Sequence, residues 1–330
     1  MEIRTVRPDE RAEFLALVDA EIRPAGATTR ARDDFPVVLG EENAAGQLVA
    51  VVAGELAGCL SFLVRSLATT WGELPVAGVG SVVTRADHRG RGVSRALQTE
   101  AMALLRRQDV PLAVLWADHP EIYAGRGFRP AGVEFHVRLQ RARLADPLPP
   151  GVRCEPYQPR HLAGVASVFA GHPLRTLRRS ADAAVLYGMP GTTGLVAEDG
   201  AGVVQAYVFC GKGADFRGYV LEWGGRRAPV LGLLAEVQRR ALAHHVLVPR
   251  GAEDLVDLLV DRGAGWYAVP SGCWCVLDPD QLRRRGVDHR WQPPPGADLH
   301  DARTWLGGVG DDGAFELGRL GTAVWGFDSV

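Results

Sequence analysis

Residues 79–97, VGSVVTRADHRGRGVSRAL, put an apolar run, a basic glycine-rich turn and an amphipathic stretch in direct succession. That order suits one task, the grip of a pyrophosphate by main-chain N–H groups. Val79, Val82, Val83 and Thr84 read as strand, and His88, Arg89, Gly90, Arg91 and Gly92 as the turn. Glycine lets the backbone approach an anion closely, and the first N–H groups of a helix are free and lie at its positive end. Val93, Ser94 and Arg95 would supply those groups. Arg91 and Arg95 are candidates for phosphate contacts, and His88 sits better for phosphate than for a second substrate. No Gly-Lys-Ser/Thr follows, which excludes a Walker A loop. A dinucleotide fingerprint is a poor match, because Glu100 and Asp109 do not close a second strand.

The elements around this turn must hold it in place. From Val93 the apolar residues Ala96, Leu97, Ala101, Leu104 and Leu105 recur at helical period. Arg95, Gln98, Arg106 and Arg107 fall outside the stripe, and Glu100 is expected at its edge beside an arginine. Residues 111–132, PLAVLWADHPEIYAGRGFRPAG, then give a strand from Leu112 to Trp116 and a short helix from Pro120 to Gly125. Tyr123, Gly127 and Phe128 follow as Tyr-x-x-x-Gly-Phe. A tyrosine is protonated at neutral pH and can donate a proton to a leaving group. Asp118 and His119, just past the strand, are candidate bases.

Arg89-x-x-Gly92-x-Ser94 resembles the Arg/Gln-x-x-Gly-x-Gly/Ala signature of GNAT acetyltransferases, with Ser94 in place of the last small residue. The block Ile122 to Phe128 resembles the segment in which a tyrosine of these enzymes faces the sulfur of CoA. His88 to Gly92 and Ile122 to Phe128 together are similar to the corresponding blocks of the enhanced-intracellular-survival type. The resemblance implies an α/β fold of tandem GNAT-like domains, each a mixed, mostly antiparallel sheet flanked by helices. It implies acetyl-CoA as cosubstrate, bound along Val82–Thr84 and His88–Arg95, and Tyr123 as the acid. It also implies that the C-terminal carboxylate, here of Val330, reaches the catalytic site. With 330 residues the chain is expected to be too short for the further sterol-carrier-like domain of that type.

Length and composition fit two globular domains, with 47% hydrophobic and 23% charged residues. A net charge of −2 argues against a general nucleic-acid binder, and no run of about 18 apolar residues suggests a membrane span. The charged start MEIRTVRPDERAEF does not read as a signal peptide, and five scattered cysteines fit the cytoplasm. Cys273 and Cys275 alternate along a strand and read as buried thiols; no cluster suggests a metal.

Residues 1–140 read as the catalytic domain, 141–150 (RARLADPLPP) as a linker, and 151–280 as a second GNAT-like copy. Residues 281–330 read as an extension docked through Phe315, Trp325 and Phe327. In the first domain Val133 to Leu139 is expected to close the sheet, and in the second Ala264 to Leu277 to form one last strand. The second copy carries GGRRAPV where the turn would be, with Pro229 in place of an N–H donor, and reads as degenerate. The expected reaction is acetyl transfer to a primary amine of a small molecule or peptide. A CoA-binding scaffold without turnover and transfer to a non-amine acceptor stay open, as does homo-oligomerisation.

Overall fold

The computed structural model describes residues 1–23 and 26–330. β1 (Glu2–Thr5) leads through a 3-10 turn into α1 (Arg11–Ile22), and Pro8 opens that turn where its missing N–H costs no bond. After α2 (Ala31–Asp34) comes a meander of β2 (Gln47–Val52), β3 (Glu55–Thr69) and β4 (Gly72–Thr84). α3 (Val93–Arg107), β5 (Leu112–Leu115), α4 (Glu121–Ala124), β6 (Arg129–Ala131) and β7 (Glu134–Arg138) complete the first half. The second half runs β8 (Val152–Pro156), α5 (Leu162–Ala170), the two-residue β9 (Arg175–Thr176), α6 (Ser180–Tyr187), β10 (Thr193–Asp199), β11 (Val204–Lys212) and β12 (Asp215–Gly225). It continues with α7 (Arg227–Arg239), β13 (His245–Pro249), α8 (Asp254–Val260), β14 (Gly265–Val269) and β15 (Gly272–Val276). Helices α9 (Pro279–Asp288) and α10 (Arg303–Leu306) and the hairpin β16 (Gly307–Val309) and β17 (Phe315–Leu317) precede the tail.

These elements build two mixed sheets flanked by helices, the α/β tandem architecture expected. The first has the order β1-β2-β3-β4-β5-β15-β6, with β9 beside β3; the second has the order β14-β7-β13-β12-β11-β10-β8. The halves exchange a strand, which corrects two expectations. Val133 to Leu139 does not close the first sheet. Gly132, at φ +70°, turns the chain out of β6, and β7 pairs antiparallel with β13 and β14. Ala264 to Leu277 is not one strand either: it breaks at Pro270-Ser271. β14 stays in the second sheet, and β15 crosses into the first between β5 and β6. The division into 1–140 and 151–280 remains a proposal about which half carries chemistry, since both sheets cross it.

The exchanged strand is buried on both faces. Cys273 and Cys275 pack with Leu97 and Ala101 of α3, and Trp274 packs on the other side with Trp305 and Leu282. Of the tail aromatics, Trp325 and Phe327 are buried, whereas Phe315 is half exposed and touches Phe135 and Trp266 edge-on. Among the described residues, no helix is long and apolar enough to cross a membrane.

Each large apolar side chain of β15 contributes about 2 kcal/mol by burial, and removing the strand leaves the edges of β5 and β6 unpaired. Residues 1–140 expressed alone should therefore be insoluble or aggregated, while co-expression with 151–330 should restore a soluble complex. Size-exclusion chromatography and circular dichroism check this; a soluble, folded 1–140 fragment would contradict it.

Candidate functional site

β4 pairs antiparallel with β3 up to Gly58↔Thr84, but the register breaks between Cys59 and Ser61, opposite Ser81 at φ +50°. On its other edge β4 pairs with β5 only from Val76 to Gly78. Beyond Gly78 the two strands part, so that edge of β4 from Val79 to Thr84 has no strand partner among the described residues. Val82, Val83 and Thr84 border this opening. Val83 is buried beneath it, and Thr84 Oγ1 is buried without a hydrogen-bond partner among the described residues.

The turn that follows uses both of its glycines. Gly90 and Gly92 take φ +75° and +79°, the left-handed region that favours glycine. A Cβ on either would meet no atom within 4 Å, so the space over the turn is open. Gly92 caps α3 without a side-chain bond, and no acidic residue occupies the first turn. The N–H groups of Val93, Ser94 and Arg95 thus form an uncapped positive end, with the exposed Arg91 and Arg95 alongside.

Other side chains brace the turn from behind. Arg89 pairs with Glu21 of α1 and reaches the carbonyl of Thr84. His88, expected at phosphate, is buried, with Nε2 3.3 Å from the Arg85 guanidinium. Arg85 is itself held by Asp87 at 2.7 Å and Glu55 at 2.8 Å. Gln98 is buried rather than outside the stripe, because its amide donates to Ser94 Oγ at 2.8 Å. Glu100 meets Arg107 at 3.0 Å on the stripe edge, as expected.

Tyr123 lies on α4, its ring edge-on to Phe128 and packed on the cluster that holds Cys273 and Cys275. Burial, aided by neighbouring Cys273, pushes the phenol above its usual value, so Tyr123 stays protonated at neutral pH. Among the described residues its hydroxyl has no hydrogen-bond partner. The exchanged strand β15 therefore forms part of the seat of Tyr123. Asp118 and His119 are exposed, and His119 Nδ1 faces Glu121 at 3.2 Å. Asp118 faces the second half: burial first, then the like charges of Asp34 and Asp118, hold Asp215 above the usual carboxylate range against Arg23 and Lys212.

The tail brings in groups from far along the chain. Trp325 donates to the carbonyl of Leu174 at 3.3 Å, and Phe327 packs against Tyr187 and Phe209. Val330 then rests on β4. A Cβ at Gly78 would lie 2.8 Å from Val330 Cγ2, and one at Gly80 2.8 Å from the Val330 carboxyl carbon. The carboxyl group thus lies where β4 and β5 part, on the sheet face covered by α1, opposite the face covered by α3. Sequence reasoning missed the side chains that seat this tail, Arg178, Lys212 and Glu222. For Lys212 and Glu222 the signal was a charge inside an apolar strand, in VQAYVFCGK and in YVLEWGG; Arg178, between β9 and α6, carried none. In the second half β12 runs to Gly225, and Arg226 caps α7 directly, so no glycine loop stands before Pro229.

Residues 2–131 match the model of an acetyltransferase (GNAT) domain. Over 95 residues, 29% of this chain, the sequence is 33% identical to an uncharacterized N-acetyltransferase of Streptomyces avermitilis. The match spans 23% of that relative's length. The fold is similar to that of a GCN5-related N-acetyltransferase from Kribbella flavida (TM-score 0.65, 20% identity, 98% of this chain and 83% of that one). It is also similar to Eis1 from Mycobacterium abscessus (TM-score 0.64, 16% identity, 97% and 85%). At these identities the likeness is one of fold.

The α3 terminus can be tested with CoA as the probe. Ser94→Asp adds an anion to the first helical turn, where a carboxylate favours the helix itself. The variant should keep its thermal stability and lose CoA affinity at least tenfold, about 1.4 kcal/mol, in a calorimetric titration. Unchanged affinity would remove this turn from the binding site.

Proposed function

We propose that the chain is an acetyl-CoA-dependent N-acetyltransferase that acts on a primary amine of a small molecule or peptide. The observation that carries the reading is the open, uncapped start of α3 beside the gap between β4 and β5. Gly90 and Gly92 leave room over the turn for a pyrophosphate, and the residues present fit that group. Val93, Ser94 and Arg95 would bind it through their N–H groups, with Arg91 and Arg95 adding charge. The β4 edge from Val82 to Thr84 offers peptide groups to the rest of the cosubstrate.

Two proton transfers fall to this chain's own groups. An alkyl amine with a pKa near ~10.4 is mostly ammonium at neutral pH and must lose a proton to attack. The Val330 carboxylate takes that proton. Acetyl-CoA supplies the thioester, whose C–S bond breaks as the amine nitrogen bonds to the carbonyl carbon. Tyr123 gives its proton to the departing sulfur, and the second proton, released by the acylated nitrogen, restores the Tyr123 phenol, so the products are the neutral N-acetylated acceptor and the CoA thiol. Asp118 and His119, exposed at the mouth of the gap, are second candidates to relay the acceptor's proton.

One groove would suit entry of the acceptor. A groove of about 840 Å³ runs between β3 and α6, and it shares Pro36, Val37, Leu63 and Arg65 with the small cavity at Val330. Its walls carry Glu41, Glu42 and Glu73 as well as the Arg65–Asp182 pair at 2.5 Å.

Release of free thiol from acetyl-CoA in the presence of a panel of amines tests the activity. No amine-dependent release would sink the reading. With a working acceptor, Tyr123→Phe should lower kcat by roughly 10²–10⁴-fold and leave acetyl-CoA affinity unchanged, since the proton is needed only as sulfur departs. Wild-type kcat in that variant would assign the proton to another group.

A further inference from the structure

Residues 325–329 are received one by one by the second half of the chain. Trp325 sits 4.4 Å from the His172 ring, and Gly326 lies so close to Leu221 that a Cβ would fall 2.7 Å from the leucine Cβ. Asp328 then meets Arg178 through both carboxylate oxygens, at 2.8 and 2.7 Å. Arg178 is itself fixed. Its other contacts go to Glu222, bonded through both oxygens, and to the Tyr187 hydroxyl at 2.9 Å, with Phe169 4.0 Å beneath the guanidinium. Glu222 is fully buried and also accepts from the hydroxyls of Tyr187 at 3.0 Å and Tyr207 at 3.2 Å. One residue on, buried Lys212 donates to the Ser329 carbonyl at 2.6 Å and to its Oγ at 2.9 Å.

Such a cluster is more than packing requires. Buried ions are costly to desolvate, and an apolar contact of equal volume would hold a tail as well or better. What two-pronged arginine–carboxylate pairs add is a fixed direction. Here the direction is set immediately before Val330 at Gly78 and Gly80. We propose that Arg178, braced by Glu222, and Lys212 are positioning residues that fix the Val330 carboxylate at the gap between β4 and β5. On this proposal, which rests on Val330 as the proton acceptor, the second half is a clamp for the tail and acts on the first half through it.

The experiment uses the full chain, with two readouts on Asp328→Asn and, independently, Lys212→Met. Asp328→Asn keeps shape and leaves the Arg178–Glu222 pair whole, so folding, followed by thermal unfolding, should survive. The first readout is the rate at which a carboxypeptidase releases Val330, expected to rise at least tenfold in each variant. The second is kcat, expected to fall at least tenfold while KM for acetyl-CoA changes less than twofold. A Val330 as protected as in the wild type overturns the clamp. A freed Val330 with wild-type kcat overturns the positioning role and the base assignment beneath it, while the tail contacts stand.

Discussion

Gly78 and Gly80 leave one face of β4 bare over two successive positions, and the tail fills the space their side chains would have taken. Everything around the site depends on that fit. A methyl group at either position would collide with Val330, so the strand can carry the residues of a sheet interior or accept the tail, but not both. The gap between β4 and β5 opens at the same two residues, because the parallel ladder stops at Gly78. Backbone vacancy and strand divergence coincide at these two residues. Tyr123 is packed from the α3 side, and Val330 arrives from the side of α1.

The strand exchange explains how groups so far apart in sequence stay aligned. β15, from the second half, lies between β5 and β6, and its Cys273 neighbours Tyr123. β7, from the first half, lies between β13 and β14 and so ties the clamp's sheet to the turn-bearing sheet. Neither half can shift without breaking ladder hydrogen bonds in both. A tail fixed on the second sheet is thereby fixed with respect to the first.

Legibility in the sequence followed locality. The turn, α3, β5 and α4 are contiguous, and the spacing of Arg89, Gly92, Ser94 and Tyr123 was enough to read them. The fate of Val133–Leu139 was not readable, because an alternating apolar strand satisfies either sheet and its pattern does not name a partner. Gln98 was misplaced for a similar reason. A polar side chain looks external until its partner, here Ser94 one turn earlier, is known. The apolar Trp325 and Phe327 announced that the tail docks. The charge of Glu222 inside an apolar strand marked a buried ion, but its grouping with Arg178 and Asp328 was not readable, because Arg178 lies 44 residues from Glu222 and 150 from Asp328 along the chain.

The central claim is that the carboxylate of Val330 does chemistry in the gap between β4 and β5. The most direct measurement replaces that carboxylate by a carboxamide in otherwise unchanged protein, through semisynthesis of the last residues, and compares kcat at fixed acceptor and saturating acetyl-CoA. The change removes a charge and preserves shape. The account predicts a fall in kcat of roughly 10²-fold or more, the scale of a lost general base, with CoA affinity and thermal stability unaltered. Wild-type turnover from the carboxamide would contradict it and send the search for the base to Asp118 and His119.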